Sequence, residues 1–254
     1  MESTIIKMKN EVHLNKPILI VGLPGIGNVG KLVAEQLRKE FKAVRFASLY
    51  SPHFPHQVIM RKDGSIRLVN NRFYYIKQKA GNDIVILTGD VQAVTPEGQY
   101  EVNEKIIEFF KDKLNGSFVY TIGGYSESES IIKEPRVFAN ATSTDVIKRF
   151  ADLGINFGKT KGAIWGSAGL VLAFAKMKGL EGICLMGETG LLDVDPAAAK
   201  AVIMVLAKKL GLAVDTTKLD KMIEKTAKAL KALEQSAAIP FPEAKDLPKP
   251  TYIR

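Results

Sequence analysis

The sequence predicts an α/β fold: a three-layer α/β/α domain around a mostly parallel central sheet, followed by a C-terminal helix and an extended Pro-rich tail. Short apolar runs rich in β-branched residues alternate with amphipathic segments of helical period, which is the pattern of buried strands joined by helices. Glycines follow two of these runs directly, as they do at strand-to-helix turns. The 254 residues, 46% hydrophobic and 25% charged, suit an ordinary globular domain. We assign residues 1–235 to this domain and residues 236–254 to the tail.

The first predicted strand, residues 18–21, is followed by a glycine-rich turn and an amphipathic helix. Residues 25–30, Gly-Ile-Gly-Asn-Val-Gly, match the dinucleotide-binding fingerprint in the strand-to-helix context that this motif requires. The motif also needs an acidic residue at the end of the next strand to bind a ribose, but residues 44–50 contain no carboxylate. The fingerprint therefore lacks the residue that would hold the nucleoside.

The same turn nearly matches a second phosphate-binding motif. Lys31 lies where a P-loop has its lysine, but Leu32 replaces the Ser or Thr whose hydroxyl binds magnesium. We therefore interpret the glycines as residues that permit positive φ and close packing of strand and helix. A nucleotide- or small-molecule-binding enzyme that uses the Gly22–Gly30 turn stays open as an alternative.

Turn and capping residues predict the remaining elements in order. Further strands are predicted at residues 43–49, 57–61, 65–69, 72–76, 83–87, 118–125 and 182–186, with a tight hairpin at Asp63-Gly64. Further helices are predicted from Pro96 to Asn115 and from Ser143 to Gly154. Two more begin at N-caps, one running from Ser167 to Gly179 and one from Asp195 to Gly211. The last helix begins at a capping box formed by Thr217 and Asp220.

Three carboxylates, Glu188, Asp193 and Asp195, lie close together in one predicted loop, as a magnesium or acid–base site requires. Helix capping already accounts for Asp195, however, and no base partner is evident for the other two. Ser167 lacks the Gly-x-Ser-x-Gly spacing of a nucleophile elbow because Trp165 stands where the first glycine belongs.

The cysteine and the histidines favour structural roles. Cys184 lies in an apolar strand, where a small buried hydrophobe is expected. His53 and His56 lie in a Pro-containing loop without a nearby third ligand for a metal. We therefore expect no catalytic residue, no cofactor, no metal site and no enzymatic activity.

The net charge of +9 raises the question of a nucleic-acid partner. Many of the lysines are spaced along the faces of the last helices, and no aromatic residues alternate with them to stack on bases. We expect a solvated face and no nucleic-acid partner. The chain has no apolar run of membrane-spanning length and no signal-peptide pattern, so we expect no membrane partner and a cytoplasmic location.

The end of the chain combines a helix with a stiff segment. Leu219, Ile223, Thr226, Leu230 and Leu233 recur at heptad-like spacing, which favours packing on the body or on a neighbouring subunit. Four prolines after residue 236 favour an extended segment with a reach of about 3 Å per residue.

Several of these features together resemble the proteasome assembly chaperone 2 family in its archaeal form. The resembling segments are residues 22–30, the Gly123-Gly124 pair, residues 166–170 and residues 188–198. The resemblance covers about residues 15–235 and implies a phosphorylase/hydrolase-like domain without established catalysis. It further implies a homo-oligomer, in the range of a tetramer or pentamer, that acts as an assembly chaperone or activator on the α-ring of the 20S proteasome.

The resemblance also implies that the C-terminal tail docks on the proteasome. Family tails end in a hydrophobic residue, a tyrosine and any residue, whereas here Tyr252 is third from the end and Ile253 is penultimate. Tyr252 and Ile253 offer apolar anchors and Arg254 brings the terminal carboxylate, so we expect these three residues to bind the partner. A structural oligomer that binds a paralogous family member is the remaining alternative.

Overall fold

A computed structural model describes residues 1–126, 132–158, 162–190 and 192–237, with side chains as far as residue 232. The strands are β1 (Ile5–Met8), β2 (Ile18–Val21), β3 (Val44–Tyr50), β4 (Val58–Met60), β5 (Ile66–Leu68), β6 (Asn71–Ile76), β7 (Ile84–Gly89), β8 (Phe118–Tyr125), β9 (Val137–Ala141), β10 (Asn156–Phe157) and β11 (Glu181–Glu188). The helices are α1 (Val29–Glu40), α2 (Pro96–Glu108), α3 (Thr144–Lys148), α4 (Ser167–Met177), α5 (Pro196–Leu210) and α6 (Thr217–Ala237).

Nine of these strands form one sheet in the order β1-β3-β6-β7-β2-β8-β11-β9-β10, and β4 and β5 form a separate hairpin. The four central strands, β7, β2, β8 and β11, are parallel. Antiparallel pairing adds β6, β3 and β1 on one side and β9 on the other. The predicted α/β fold is confirmed. Its parallel part is the centre, where every residue of β2 and β7 is buried, because both faces of these strands are covered by helices.

Helices cover the two faces of the sheet and create two cores. On one face, α1 and α5 pack through residues that include Val33, Leu37, Val202 and Ile203. On the other, α2 and α4 pack through residues that include Val102, Ile106, Val171 and Ala175. The carboxyl ends of the four parallel strands meet at one edge of the sheet, which we call the carboxyl edge, and the loops that follow these strands lie there.

Helix α6 extends the fold at its C-terminal end. Leu219 is buried in the core, whereas Ile223, Thr226 and Leu230 are half-buried, so the predicted apolar seam faces the protein over the described side chains. The lysines of α6, Lys218, Lys221, Lys225, Lys228 and Lys231, are exposed, as predicted for a solvated face. Within the described ranges, no helix combines the length and the apolar character needed to cross a membrane.

The prediction that Ser167 is the N-cap of α4 is wrong. Gly166 occupies that position with φ 73°, and Ser167 is the first residue of the helix. Because the backbone needs a positive φ here, glycine is the suitable residue. The backbone N–H of Ser167 donates to the Gln92 side chain at 2.9 Å, so an amide from another loop satisfies the first turn of the helix.

The predicted capping box at the start of α6 is also wrong. The N–H and hydroxyl of Thr217 both donate to Asp215 Oδ1, at 2.8 and 2.6 Å. Asp220 instead accepts hydrogen bonds from Thr216 and Lys200. In the predicted box, Asp220 would accept the backbone N–H of Thr217. Because Asp215 accepts that N–H instead, the Asp220 carboxylate binds Thr216 and Lys200.

The predicted hairpin is confirmed, although its loop is longer than two residues. The N–H of Arg61 donates to Ser65 at 2.8 Å, and the N–H of Gly64, which has φ 79°, donates to Arg61 at 3.0 Å. The carboxylate of Asp90, after β7, attaches the hairpin to the sheet. It accepts two hydrogen bonds from Arg67, at 2.5 and 3.0 Å, and another from Arg72 of β6.

Replacing Asp90 by asparagine should lower the free energy of unfolding by about 2 kcal/mol at pH 7. Burial opposes ionisation of this carboxylate, which is 14% exposed, but the hydrogen bonds from Arg67 and the charge of Arg72 outweigh burial and lower its pKa from 3.8 to about 2. A folded-state pKa below the unfolded value stabilises the fold above about pH 4, and this stabilisation disappears as the pH falls towards 2. Urea midpoints of both proteins at pH 7, 4 and 2.5 should therefore converge at low pH; a difference that stays constant would contradict this role.

Candidate functional site

The predicted partner-binding residues Tyr252, Ile253 and Arg254 lie outside the described residues. The glycine turn after β2, the other candidate, lies at the carboxyl edge and is fully described. There it meets the end of β8, the loop after β7 and the loop between β11 and α5. The turn is therefore the centre of the carboxyl edge.

The glycines of the turn are points of close backbone contact. A Cβ atom at Gly22 would lie 2.1 Å from the carbonyl oxygen of Gly30, and one at Gly30 would lie 2.5 Å from the carbonyl oxygen of Ile122 in β8. At Gly27, where φ is 57°, a Cβ atom would lie 2.7 Å from the hydroxyl of Thr189. Protein atoms thus occupy the space beside these glycines, and the predicted structural role of all three is confirmed.

A buried group of hydrogen bonds joins the turn to the start of α5. The N–H of Asp195 donates to the carbonyl of Gly27 at 2.8 Å, and the Thr189 hydroxyl donates to Asp195 Oδ2 at 2.7 Å. Asp195 Oδ1 accepts the N–H groups of Ala197 and Ala198, at 3.0 and 2.9 Å. The predicted N-cap is confirmed, and both oxygens of this buried carboxylate have partners.

Gln92, in the loop after β7, joins the turn to α4. Its Nε2 donates to the carbonyl of Pro24 at 2.5 Å, while its Oε1 accepts the N–H of Ser167 at 2.9 Å. Neither Gln92 nor Thr189 is among the site residues predicted from the sequence. A polar residue just after a buried strand was the available signal, because such residues lie at the carboxyl edge.

The other two carboxylates of the β11–α5 region do not join Asp195 in a site. Glu188 accepts hydrogen bonds from the side chain of Arg136, at 2.8 Å from Nε, and from its backbone N–H at 3.0 Å. These bonds lower the pKa of Glu188 below its usual value, so this carboxylate stays ionised and paired. Asp193 is exposed to solvent. The described residues contain no group of three or more His, Cys, Asp or Glu side chains placed to hold a metal.

Cys184 and His53 have the structural roles that the sequence predicts. Burial raises the pKa of the Cys184 thiol to about 11, which leaves it protonated and poorly nucleophilic. His53 Nε2 lies 2.9 Å from Glu101, whose other carboxylate oxygen accepts the N–H of Thr4 at 2.6 Å. His53 therefore attaches the loop after β3 to α2, and the same Glu101 holds the N-terminal segment, while His56 is exposed.

Exposed apolar side chains lie in the turn and in segments that hydrogen bonds connect to it. Ile26, Val94, Trp165 and Val194 belong to four different segments of the carboxyl edge, and we call them the apolar rim. The Gln92 and Asp195 hydrogen bonds hold these four segments together. One of the four, Trp165, is a large aromatic side chain of the type that contributes most to the energetics of protein interfaces, so the rim is suited to contact another protein.

Most of the chain matches one protein family. A family model described as the PAC2 family matches residues 19–234. An uncharacterized protein of Methanocaldococcus jannaschii is 36% identical over 248 residues, which cover 95% of each chain.

Two solved structures from Pyrococcus furiosus share the fold. PbaB, described as an archaeal proteasome activator, has a TM-score of 0.86 and 40% identity, over 92% of this chain and all of its own. PbaA, described as an archaeal homolog of proteasome-assembly chaperone, has a TM-score of 0.76 and 26% identity over 93% of both chains.

Proposed function

This chain belongs to the PAC2 family, and from that membership we propose that it is a homo-oligomeric proteasome-assembly chaperone or activator that docks its C-terminal tails on the α-ring of the 20S proteasome. The observation that carries the proposal is the likeness, over nearly the whole chain, to PbaB, a protein described as an archaeal proteasome activator. We expect a tetramer or pentamer in the cytoplasm. Several copies would present several tails to one ring, and multivalent binding of this kind strengthens weak individual contacts.

The described part of the tail's attachment supports this function. Helix α6 is a 21-residue helix that packs on α5 and carries solvent-exposed lysines. It ends at Ala237, two residues into the predicted tail, and the rest of the tail follows it in the chain. A segment rich in proline loses little conformational entropy when it binds, so a short anchor of Tyr252, Ile253 and the Arg254 carboxylate is sufficient for docking.

The carboxyl edge supports a role in protein binding over catalysis. The glycines that match nucleotide-binding motifs pack directly against protein atoms, and two of the three nearby carboxylates are bound by a helix N-terminus and by Arg136. The edge also exposes the four apolar side chains of the rim, which suits a protein partner. We therefore propose that the chain has no enzymatic activity.

Deleting residues 248–254 should abolish binding to purified 20S proteasome while the oligomer keeps its mass. The truncation removes both apolar anchors and the terminal carboxylate but no residue of the described core. Pull-down with immobilised 20S particles measures binding, and light scattering measures the mass. A truncated protein that binds as well as the full chain would exclude tail docking.

Point variants make the test specific to the tail's chemistry. Tyr252→Ala should weaken binding at least tenfold, whereas Thr251→Ala, its neighbour, should leave binding nearly unchanged. Exchanging Tyr252 and Ile253 moves the tyrosine to the penultimate place that the family pattern has, and this should strengthen binding. If the full chain instead co-purifies with a paralogous family member and ignores the 20S particle, the structural-oligomer alternative is correct.

A further inference from the structure

A cavity lies at the edge of the sheet where the parallel strands begin, opposite to the carboxyl edge, and we call this the amino edge. The cavity has a volume of about 460 Å³, which is within the range of small-molecule sites. Its lining includes the first residues of β2, β7 and β8, which are Ile18, Ile84 and Phe118. The loop before β7 and the C-terminal end of α5 complete it, so the cavity has an apolar part and a polar part.

Tyr120 of β8 lines this cavity with a hydroxyl that has no protein partner. The residue is only 4% exposed, and no hydrogen bond within the described part of the chain involves its hydroxyl. Buried tyrosine hydroxyls usually have a hydrogen-bond partner, because leaving one unpaired is costly. The hydroxyl of Tyr120 is therefore available to a molecule in the cavity.

An aromatic cluster holds Tyr120 in place. The centre of its ring lies 4.8 Å from that of Phe118 and 6.1 Å from that of Phe150. Phe118 and Tyr120 both line the cavity, so part of this cluster is accessible from it. Because aromatic rings pack favourably against one another, this wall suits a ligand that carries a ring.

Two cations, Arg149 and Lys209, line the same cavity. Arg149 donates from Nη2 to Glu181 at 2.6 Å, which balances one of the two charges. Lys209 Nζ donates to the backbone carbonyl of Arg149 at 2.5 Å and lies 4.3 Å from the centre of the Phe150 ring. Among the described residues, no carboxylate lies at ion-pair distance from Lys209, so its charge is the unbalanced one.

The Tyr120 hydroxyl acts as a donor in this setting. Burial raises its pKa, and the positive charge of Arg149 opposes this only in part. The phenol therefore stays protonated at neutral pH. A protonated phenol and an unbalanced ammonium group both offer hydrogen atoms to the cavity, which favours an anionic oxygen as their acceptor.

From this arrangement we propose that the amino-edge cavity binds a small aromatic monocarboxylate. Its carboxylate accepts hydrogen bonds from Tyr120 and Lys209, and its ring packs on Phe118. A single negative charge matches the one unbalanced cation of the lining. The proposal is separate from the proposed function, because it involves neither the tail nor the carboxyl edge.

Fluorine NMR with 4-fluorophenylacetate as the probe tests the proposal on the full-length protein. The ¹⁹F signal should broaden on addition of the protein, and unlabelled phenylacetate should reverse the broadening. The neutral analogue 4-fluorophenylacetamide has the same ring without the charge, and it should bind at least tenfold more weakly. Equal binding of the acid and the amide would overturn the proposal, as would a lack of binding with the acid in large excess.

Two variants and a control identify the contacts. Tyr120→Phe and Lys209→Gln should each weaken binding of the acid about tenfold. Tyr120→Phe should also keep the thermal midpoint of the wild type, because no protein group loses a hydrogen bond. Lys208→Gln removes the same charge from the last turn of α5, at an exposed position outside the cavity lining, and should bind like the wild type.

Wild-type affinity in either test variant would show that the acid binds elsewhere and would overturn the proposal. Equal losses in Lys208→Gln and Lys209→Gln would do the same, because they would indicate attraction by the net charge alone. No 20S particle is used, so these results are independent of tail docking.

Discussion

Replacing Gly30 by alanine should lower the free energy of unfolding by about 3 kcal/mol, although alanine is the better helix former by about 1 kcal/mol. The new Cβ atom would lie 2.5 Å from the backbone oxygen of Ile122 and 3.1 Å from that of Leu23. Both are main-chain atoms of packed segments, so neither moves without displacing α1 from β8. Urea denaturation followed by circular dichroism measures the loss.

Gly25→Ala is the matched control because Gly25 belongs to the same fingerprint. Its φ is −172°, which any residue adopts, and the nearest atom to a new Cβ would be Gln92 Nε2 at 3.6 Å, an ordinary contact. We expect a change within about 0.5 kcal/mol. The phosphate-binding motif assigns a function to both glycines, whereas packing distinguishes them. Equal losses at Gly25 and Gly30 would contradict the packing role.

Replacing Asp195 by alanine should lower the free energy of unfolding by about 3 kcal/mol. The change removes the acceptor for two backbone N–H groups at the start of α5 and leaves the buried Thr189 hydroxyl without its partner. Asp195→Asn keeps a capping oxygen and should recover most of the loss. The same urea experiment measures both variants.

Asp193→Ala provides the comparison within the same loop. Asp193 is exposed, so its removal should change stability by less than about 0.5 kcal/mol. A catalytic group built from both carboxylates would require the two to lie close together and to affect function jointly. If Asp193→Ala destabilised the fold as strongly as Asp195→Ala, the capping interpretation of Asp195 would be wrong.

The elements with strong local signals were predictable from the sequence. The run at residues 18–21 is a strand because its apolar residues are buried on both faces, and α5 begins after Asp195-Pro196 and ends before Gly211 because caps act within a few residues. The two wrong caps, at Ser167 and Thr217, have a common cause. In each case the atom that accepts the backbone N–H at the start of the helix belongs to a residue that was not predicted to cap it, Gln92 or Asp215.

The sequence by itself determined the α/β class, the strand–glycine–helix unit and the likeness to a family, since apolar period and glycine position are local properties. Only the tertiary structure decided which glycines pack against other segments, which carboxylates have hydrogen-bond partners and which residues bind the helix N-termini. These facts depend on contacts such as Gly30 with Ile122, Arg136 with Glu188 and Gln92 with Ser167. Such residues are far apart in the chain and meet only because strand order brings their loops to one edge of the sheet.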